Sequence, residues 1–206
     1  VSVNAFEGKG AVAAAHTDSA ETLPCDLVII GKGVLPALDF VPRESIEVDL
    51  GIVVDGYMQS NAGGIYAAGD AAETVDIARQ QPWVNAIWPE AAAQGRVAGF
   101  NMAGRQVAYP GSLSRNVMRI FDLDLMTLGY ATPENPSAYR IFRSEDKRQQ
   151  TYRSLVFDQD CLVGAVLINQ IEQGGILRGV IETRQPLSVP PSALMAPGFN
   201  FARLWR

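Results

Sequence analysis

The chain has few of the residues on which metal, disulfide and proton-transfer sites are usually built. Its 206 residues include one histidine, His16, and two cysteines, Cys25 and Cys161, which form no Cys-x-x-Cys pair. Two cysteines this far apart in sequence are typical of small buried hydrophobic side chains in a reducing compartment. We therefore expect a cytoplasmic protein, with no metal site.

The sequence also lacks a basic run and a long apolar run. The formal net charge is −5, which argues against a nucleic-acid partner. No apolar stretch reaches the length of a membrane span, so we expect no membrane partner either. With 48% hydrophobic and 19% charged residues, the chain has an ordinary globular composition. It is long enough to bury a core, as one large domain or two small ones.

The strongest signal lies in residues 64–72, Gly-Ile-Tyr-Ala-Ala-Gly-Asp-Ala-Ala. The apolar run 65–68 predicts a short buried strand. Gly69 permits a tight turn and a close ligand approach. Asp70 then stands at the carboxyl end of the strand, where open α/β sheets bind cofactors, and its carboxylate can accept hydrogen bonds from sugar hydroxyls. A strand followed by an Asx turn or a helix N-cap fits the Gly-Asp pair equally well.

With its flanks, this stretch resembles the second flavin-binding motif of the FAD-dependent pyridine nucleotide-disulfide oxidoreductases. The motif reads Ile-Tyr-Ala-x-Gly-Asp in that family, as residues 65–70 do here. Residues 52–55 and 58–61 resemble the family's lead-in, although Ser60-Asn61 stands where a Thr-Ser pair is more usual. The resemblance implies that Gly69 and Asp70 bind FAD, with Asp70 on the ribityl chain.

Residues 88–104 predict a helix. Pro89 suits a first helical turn, Glu90 complements the helix dipole there, and Gly104 suits the C-terminal cap. One face at helical spacing consists of small residues and a methionine, which predicts close packing on that face. These residues are Ala91, Gly95, Ala98 and Met102.

The spacing Trp-x-x-Ala-x-x-Gln-Gly within this helix is also similar to that family, in which the helix directs its N-terminus at the flavin pyrimidine. A helix N-terminus carries about half a positive charge. That charge stabilises the negative charge of a reduced flavin and so tunes its redox potential. The resemblance therefore implies that Trp88, Pro89 and Ala91 contact the cofactor. Packing in the core is the alternative for Trp88.

The N-terminal part contains two glycine motifs. Residues 8–13, Gly-Lys-Gly-Ala-Val-Ala, match a dinucleotide fingerprint and would predict a helix over residues 11–19 in a stand-alone NAD-binding protein. A β-hairpin with its turn at 17–21 is favoured instead, because the segment is too short and polar for a crossover helix. Residues 26–30 predict a strand buried on both faces. Gly31 follows in a Gly-x-Gly-x-x-Pro stretch, which in the resembled family lies near the nicotinamide cofactor; a plain Gly/Pro loop is the alternative.

Residues 71–83 predict a polar loop that covers a ligand. A domain boundary is expected at 109–111, and beyond it the sequence predicts a different architecture. Five short strands and a helix then predict an α+β domain, followed by an aromatic tail at 199–205. The predicted strands are 116–121, 123–128, 139–143, 151–157 and 162–168, with a hairpin turn at 158–160, and the predicted helix is 174–183 with Ile176, Leu177, Val180 and Ile181 on one face.

The predicted fold class is α/β plus α+β: the end of a two-dinucleotide-binding-domain flavoprotein followed by a small α+β interface domain. Residues 1–40 correspond to the last strands of the NAD(P)-binding domain and residues 41–108 to the second FAD-binding segment. Residues 109–206 correspond to a C-terminal interface and dimerisation domain. These assignments follow from the resemblance.

The function implied is hydride transfer from NAD(P)H to FAD and onward to an acceptor. Members with a C-terminal His-Glu pair are disfavoured, since the only histidine is His16. Single-flavin reductases of rubredoxin, ferredoxin or nitrite-reductase type, NADH oxidases and CoA-disulfide reductases fit better. The expected partners are N-terminal FAD and NAD domains, an electron acceptor and a second copy of the chain.

The motif that cradles the FAD pyrophosphate is not found, so we expect this chain alone to bind FAD weakly or not at all. The alternative function is a folded dimerisation or interaction module that binds no cofactor and has no activity of its own.

Overall fold

The computed structural model describes residues 1–196 and 198–205 of the chain. These residues form a mixed α/β structure with eleven strands and two α-helices. The chain divides into two compact units, Val1–Leu35 and Pro36–Arg206. The domain boundaries expected after residues 40 and 108 are not tested by this division and stay predictions. No helix in the described ranges is long and apolar enough to cross a lipid bilayer.

The first unit is built on a three-stranded antiparallel sheet in the order β1-β2-β3. Its strands are β1 (Val3–Glu7), β2 (Ala14–Thr17) and β3 (Thr22–Pro24). The Thr17 hydroxyl closes the β2–β3 turn, because it accepts the backbone N–H of Glu21 at 3.1 Å. The predicted hairpin is therefore confirmed. The alternative helix over residues 11–19 is wrong, because β2 occupies this segment.

The buried strand predicted at 26–30 is wrong. None of the described strands includes these residues, and Ile29 is 86% exposed. A strand of a parallel sheet is buried by strands on both sides and helices on both faces. No described part of the chain supplies those neighbours, so the apolar run lies open. Cys25, just before it, is half-buried, as is Cys161 in the other unit.

The second unit opens with a small sheet in the order β4-β5-β6. It consists of β4 (Ile52–Val53), β5 (Ala72–Asp76) and β6 (Gln81–Trp83), with β4 parallel to β5 and β6 antiparallel to it. The polar loop predicted at 71–83 is therefore wrong. This polar segment can form a strand because the buried polar side chains of β5 have hydrogen-bond partners. Glu73, for example, accepts the backbone N–H of Gly51 at 3.0 Å.

The apolar run 65–68 forms an irregular extended segment, not the buried strand that was predicted. It pairs on one side only, with Ser60 donating to the Ile65 carbonyl at 2.9 Å and Ala67 donating to the Met58 carbonyl at 3.1 Å. Tyr66 makes an isolated bridge, and Ile65 is 43% exposed. Because one edge carries all the pairing, only Ala67 is buried.

Helix α1 (Trp88–Met102) confirms the predicted helix, and Gly104 beyond it takes a left-handed φ of 78°. Its buried face differs from the predicted one. Glu90, Gln94 and Ala98 are buried, whereas Gly95 and Met102 are exposed. The spacing of small residues indicated the wrong face, because two of the buried positions hold polar side chains.

The rest of the second unit is a five-stranded antiparallel sheet in the order β7-β8-β11-β10-β9, covered by helix α2 (Gly174–Thr183). All five predicted strands and the helix are confirmed. Within the predicted helix face, Ile176 is 42% exposed, while Leu177, Val180 and Ile181 are buried. The strands are β7 (Arg115–Ile120), β8 (Leu123–Gly129), β9 (Arg140–Asp146), β10 (Thr151–Asp158) and β11 (Cys161–Ile168).

The described residues of the second unit form two separate hydrophobic clusters. One is formed by residues between Leu38 and Tyr109 and includes Ala98 of α1. The other lies between the five-stranded sheet and α2 and extends to Phe201. In the predicted aromatic tail, Phe199 and Phe201 pack edge to face with their ring centroids 5.2 Å apart. The side chain of Trp205 lies outside the described residues.

Candidate cofactor site

A short turn, Gly69–Ala71, joins the extended segment 65–68 to β5. Gly69 takes a left-handed φ of 75°. A Cβ on Gly69 would stand 3.4 Å from the Cβ of Ala91 in α1, so the turn packs closely against this helix. Both the backbone conformation and the close approach favour glycine. The structure thus brings together three predicted site residues, Gly69, Asp70 and Ala91.

Asp70 presents an unengaged carboxylate on the surface of this turn. Its side chain is exposed, and no described residue makes a hydrogen bond or ion pair with it. The N-cap of the turn is Ala68, and α1 has no side-chain cap. The Asx-turn and N-cap alternatives are therefore not supported. An ionised carboxylate of this kind is free to accept hydrogen bonds from hydroxyl groups of a ligand.

The first turn of α1 is open beside this carboxylate. Ile87 caps the helix through its backbone only, accepting the N–H groups of Glu90 at 3.1 Å and Ala91 at 3.0 Å. Pro89 is exposed, and Trp88 is 86% exposed, so core packing does not account for this tryptophan. The start of the helix, with its partial positive charge, is thus accessible to an electron-rich group.

Gln94 ties the glycine turn to the helix. Its side chain is 1% exposed, and its Oε1 accepts the backbone N–H of Gly69 at 2.8 Å. This bond satisfies a donor that the left-handed turn would otherwise leave without a partner. Gln94 belongs to the Trp-x-x-Ala-x-x-Gln-Gly spacing, but the sequence pattern predicts no role for its side chain.

A buried polar cluster lies behind the helix start. Tyr109 donates a hydrogen bond to Glu90 Oε2, and Arg115 Nη1 lies 3.1 Å from Glu90 Oε1. Burial raises the pKa of the Tyr109 hydroxyl well above its ordinary value, and the hydrogen bond and negative charge of Glu90 add to that rise. The sequence reading assigned Glu90 to the helix dipole alone and did not single out Arg115.

A second buried cluster holds the segment that enters α1. The Asn85 Nδ2 group donates to Asp76 Oδ2 at 2.8 Å and to the Ser112 hydroxyl at 2.7 Å. The Asn85 carbonyl in turn accepts the N–H of Ile87 at 2.9 Å, one residue before the helix. The three side chains come from β5, the approach to α1 and the approach to β7, so no local sequence pattern could have found them.

Gly31 lies in the first unit, and its predicted part in nicotinamide binding stays a prediction. The described residues contain no group of three histidine, cysteine, aspartate or glutamate side chains that could hold a metal. The second unit itself offers a free carboxylate, a glycine turn and an uncapped helix start in one place. This set fits a polyhydroxyl chain attached to an electron-rich ring, since the carboxylate accepts hydroxyl donors and the helix start attracts negative charge.

Two protein families match the chain in consecutive segments. Residues 1–95 match the pyridine nucleotide-disulphide oxidoreductases, and residues 115–185 match the rubredoxin NAD+ reductase C-terminal domain. The candidate site, from the Gly69 turn to the first two turns of α1, lies within the first of these segments.

Two curated proteins illustrate the relationship. The NADH-dependent phenylglyoxylate dehydrogenase subunit epsilon of Aromatoleum evansii is 30% identical over 182 residues, which are 87% of this chain and 42% of that protein. The CoA-dependent NAD(P)H sulfur oxidoreductase of Pyrococcus furiosus is 31% identical over 132 residues, 63% of this chain and 29% of that protein. The chain therefore spans less than half the length of these relatives.

Among solved structures, the fold is similar to that of a chain in the covalent putidaredoxin reductase–putidaredoxin complex. The TM-score is 0.81 at 22% identity, and the match covers 99% of this chain and 48% of that one. At this identity the likeness concerns the fold.

Proposed function

The chain belongs to the pyridine nucleotide-disulfide oxidoreductase family, and from that membership we propose that it is the flavin-proximal and C-terminal part of an NAD(P)H-dependent FAD oxidoreductase. The observation that carries the proposal is the unengaged Asp70 carboxylate beside the uncapped start of α1. A carboxylate and a helix N-terminus in one place suit the ribityl chain and the pyrimidine edge of a flavin.

Each predicted site residue has a distinct task in this proposal. Asp70 accepts hydrogen bonds from the ribityl hydroxyls, and Gly69 keeps the turn close enough to α1 for the cofactor to reach both. Trp88, Pro89 and Ala91 line the flavin, with the exposed Trp88 ring shielding it from water. Gly31 belongs to the nicotinamide side.

FAD, when bound, accepts a hydride from NAD(P)H and passes electrons on, while the chain binds it, orients it and sets its electrostatic surroundings. The partial positive charge at the start of α1 favours the reduced, negatively charged flavin. Asp70, by contrast, acts in binding, because its hydrogen bonds go to an uncharged polyol. The two features therefore affect different measurable quantities, the redox potential and the affinity.

We propose three partners. The first is the polypeptide that supplies the rest of the FAD and NAD(P)H sites, corresponding to the part of the relatives' length that this chain does not match. The second is an electron acceptor, and the similarity to a putidaredoxin reductase structure favours a small electron-transfer protein. The third is a second copy of the chain, docked through the C-terminal sheet, where Val117, Met118 and Phe121 lie exposed on and beside edge strand β7.

The visible absorption spectrum tests the flavin proposal. The chain is purified alone and again with the polypeptide that supplies the remaining cofactor-binding part, and we expect a flavin spectrum only in the second preparation. Asp70→Ala should release the flavin, whereas Asp122→Asn, at an exposed aspartate in the β7–β8 turn, should retain it. Absence of flavin from both preparations would leave the cofactor-free interaction module as the function.

A further inference from the structure

One continuous polar chain of contacts runs from the glycine turn, through α1, to the first strand of the C-terminal sheet. Gly69 donates to Gln94, and the Gln94 side chain also interacts with the Tyr109 hydroxyl. Tyr109 donates to Glu90, and Glu90 pairs with Arg115 at the start of β7. All four side chains are buried or nearly so: Gln94 is 1% exposed, Glu90 6% and Tyr109 8%, and the Arg115 side chain is 18% exposed.

The Glu90–Arg115 ion pair has an unusual position for a contact that serves stability alone. A buried ion pair is a weak source of stability, because desolvation of both ions offsets most of their attraction. Glu90 occupies the first turn of α1, at the end that faces the candidate cofactor site. Charges in a buried setting are poorly screened and act over longer distances than exposed charges do.

We infer that Glu90 and Arg115 are positioning residues that set the electrostatic potential at the start of α1, and with it the midpoint potential of a flavin bound there. This inference rests on the proposed function. Glu90 opposes the positive end of the helix dipole, and Arg115 compensates Glu90, so the two charges work against each other on the same bound group.

Because the two charges oppose each other, two single substitutions should shift the midpoint potential of the flavin in opposite directions. Glu90→Gln keeps the shape and the acceptor for Tyr109 but removes the negative charge, so the reduced flavin becomes more stable and the midpoint potential moves in the positive direction. Arg115→Gln removes the positive charge, and the potential moves in the negative direction. In the double variant the two shifts largely cancel.

Spectroelectrochemical titration of the flavin in the complete holoprotein tests this inference. The matched control is the exposed ion pair between Arg140 in β9 and Asp160 in the β10–β11 turn, whose Nη2 and Oδ1 atoms lie 2.7 Å apart. Arg140→Gln and Asp160→Asn should leave the potential unchanged. Shifts of the same sign from both Glu90→Gln and Arg115→Gln would indicate mere loosening of the helix and would overturn the inference, as would the absence of any shift.

A substitute variant and two further outcomes complete the test. If Arg115→Gln does not fold, Arg115→Lys replaces it: this variant keeps the charge and should leave the potential unchanged while Glu90→Gln still raises it. A complete wild-type protein that binds no flavin would overturn the proposed function and this inference with it. Flavin bound at one potential in all variants would overturn the inference alone.

Discussion

The two helices of the second unit bury very different faces. Helix α2 packs Leu177, Val180 and Ile181 against the five-stranded sheet, in agreement with its apolar spacing. Helix α1 buries Glu90 and Gln94 and leaves Trp88 on the surface. A helix that serves packing follows apolar periodicity. Helix α1 instead buries a polar group that holds the Gly69 turn in place, since Gln94 accepts the Gly69 N–H.

The largest effect on stability is expected from Leu177→Ala in α2. Leu177 is fully buried in the sheet–helix cluster, so the cavity left by truncation should lower the free energy of unfolding by about 3 kcal/mol. Urea denaturation measures this loss. The neighbouring Ile176→Ala, at a half-exposed position, should cost much less. Equal losses would contradict an orientation of α2 that buries Leu177 and exposes Ile176.

The corresponding substitution in α1 is Gln94→Leu, which keeps the volume but removes the acceptor for the Gly69 N–H. We expect a loss of about 2 kcal/mol, because a buried donor is left without a partner. Urea denaturation of Gln94→Leu beside Gln106→Leu, at an exposed and unbonded glutamine just beyond the helix, isolates this effect. If an apolar side chain at position 94 stabilised the protein, α1 would be an ordinary packing helix like α2.

Tyr109→Phe removes the buried hydroxyl behind α1 and keeps the packing of the aromatic ring. Losing the hydrogen bond to Glu90 should cost about 1 kcal/mol at neutral pH. The pKa of Tyr109 is raised in the folded state, so its contribution is complete below the ordinary tyrosine value of 10.0 and declines as the pH rises above that value.

Denaturation curves recorded between neutral pH and pH values above 10 check this prediction. The difference between wild type and Tyr109→Phe should shrink, and then reverse, as the pH rises through that range. Tyr57→Phe, at a partly exposed tyrosine, serves as the control. A difference that stays constant with pH would show that the Tyr109 hydroxyl has no raised pKa.

The smallest effect on stability is expected from Trp88→Ala. An exposed side chain at a helix start contributes less than about 0.5 kcal/mol, so the unfolding transition should hardly move. Flavin retention by the complete holoprotein, measured by absorbance after gel filtration, should nevertheless fall. Met102→Ala, at a residue that is 67% exposed at the far end of the same helix, should change neither quantity. Unchanged flavin retention in Trp88→Ala would remove Trp88 from the proposed site.

Elements with a regular apolar period were predictable from sequence. The five C-terminal strands, α2 and the extent of α1 follow from spacing, turn residues and caps within each segment. The Gly69-Asp70 turn was predictable for another reason: two adjacent residues supply both the left-handed backbone and the carboxylate. The family was likewise recognisable from short motifs that need no three-dimensional context.

Strand β5 and the buried face of α1 were not predictable in this way. Glu73 and Asp76 look like loop residues until the structure supplies their partners, the Gly51 backbone and the Asn85 side chain. The apolar run 26–30 shows the opposite: it is apolar enough for a buried strand but lies exposed, because no described strand pairs with it.

Local pattern thus decided which segments become helices and strands, and where the glycine turn with its free carboxylate lies. The tertiary structure decided which polar side chains are buried and what they hold. The physical reason is that a buried polar group is stable only with a partner, and here the partners of Gln94 and Glu90 lie 19 to 25 residues away in sequence. Periodicity carries no information about contacts at that separation.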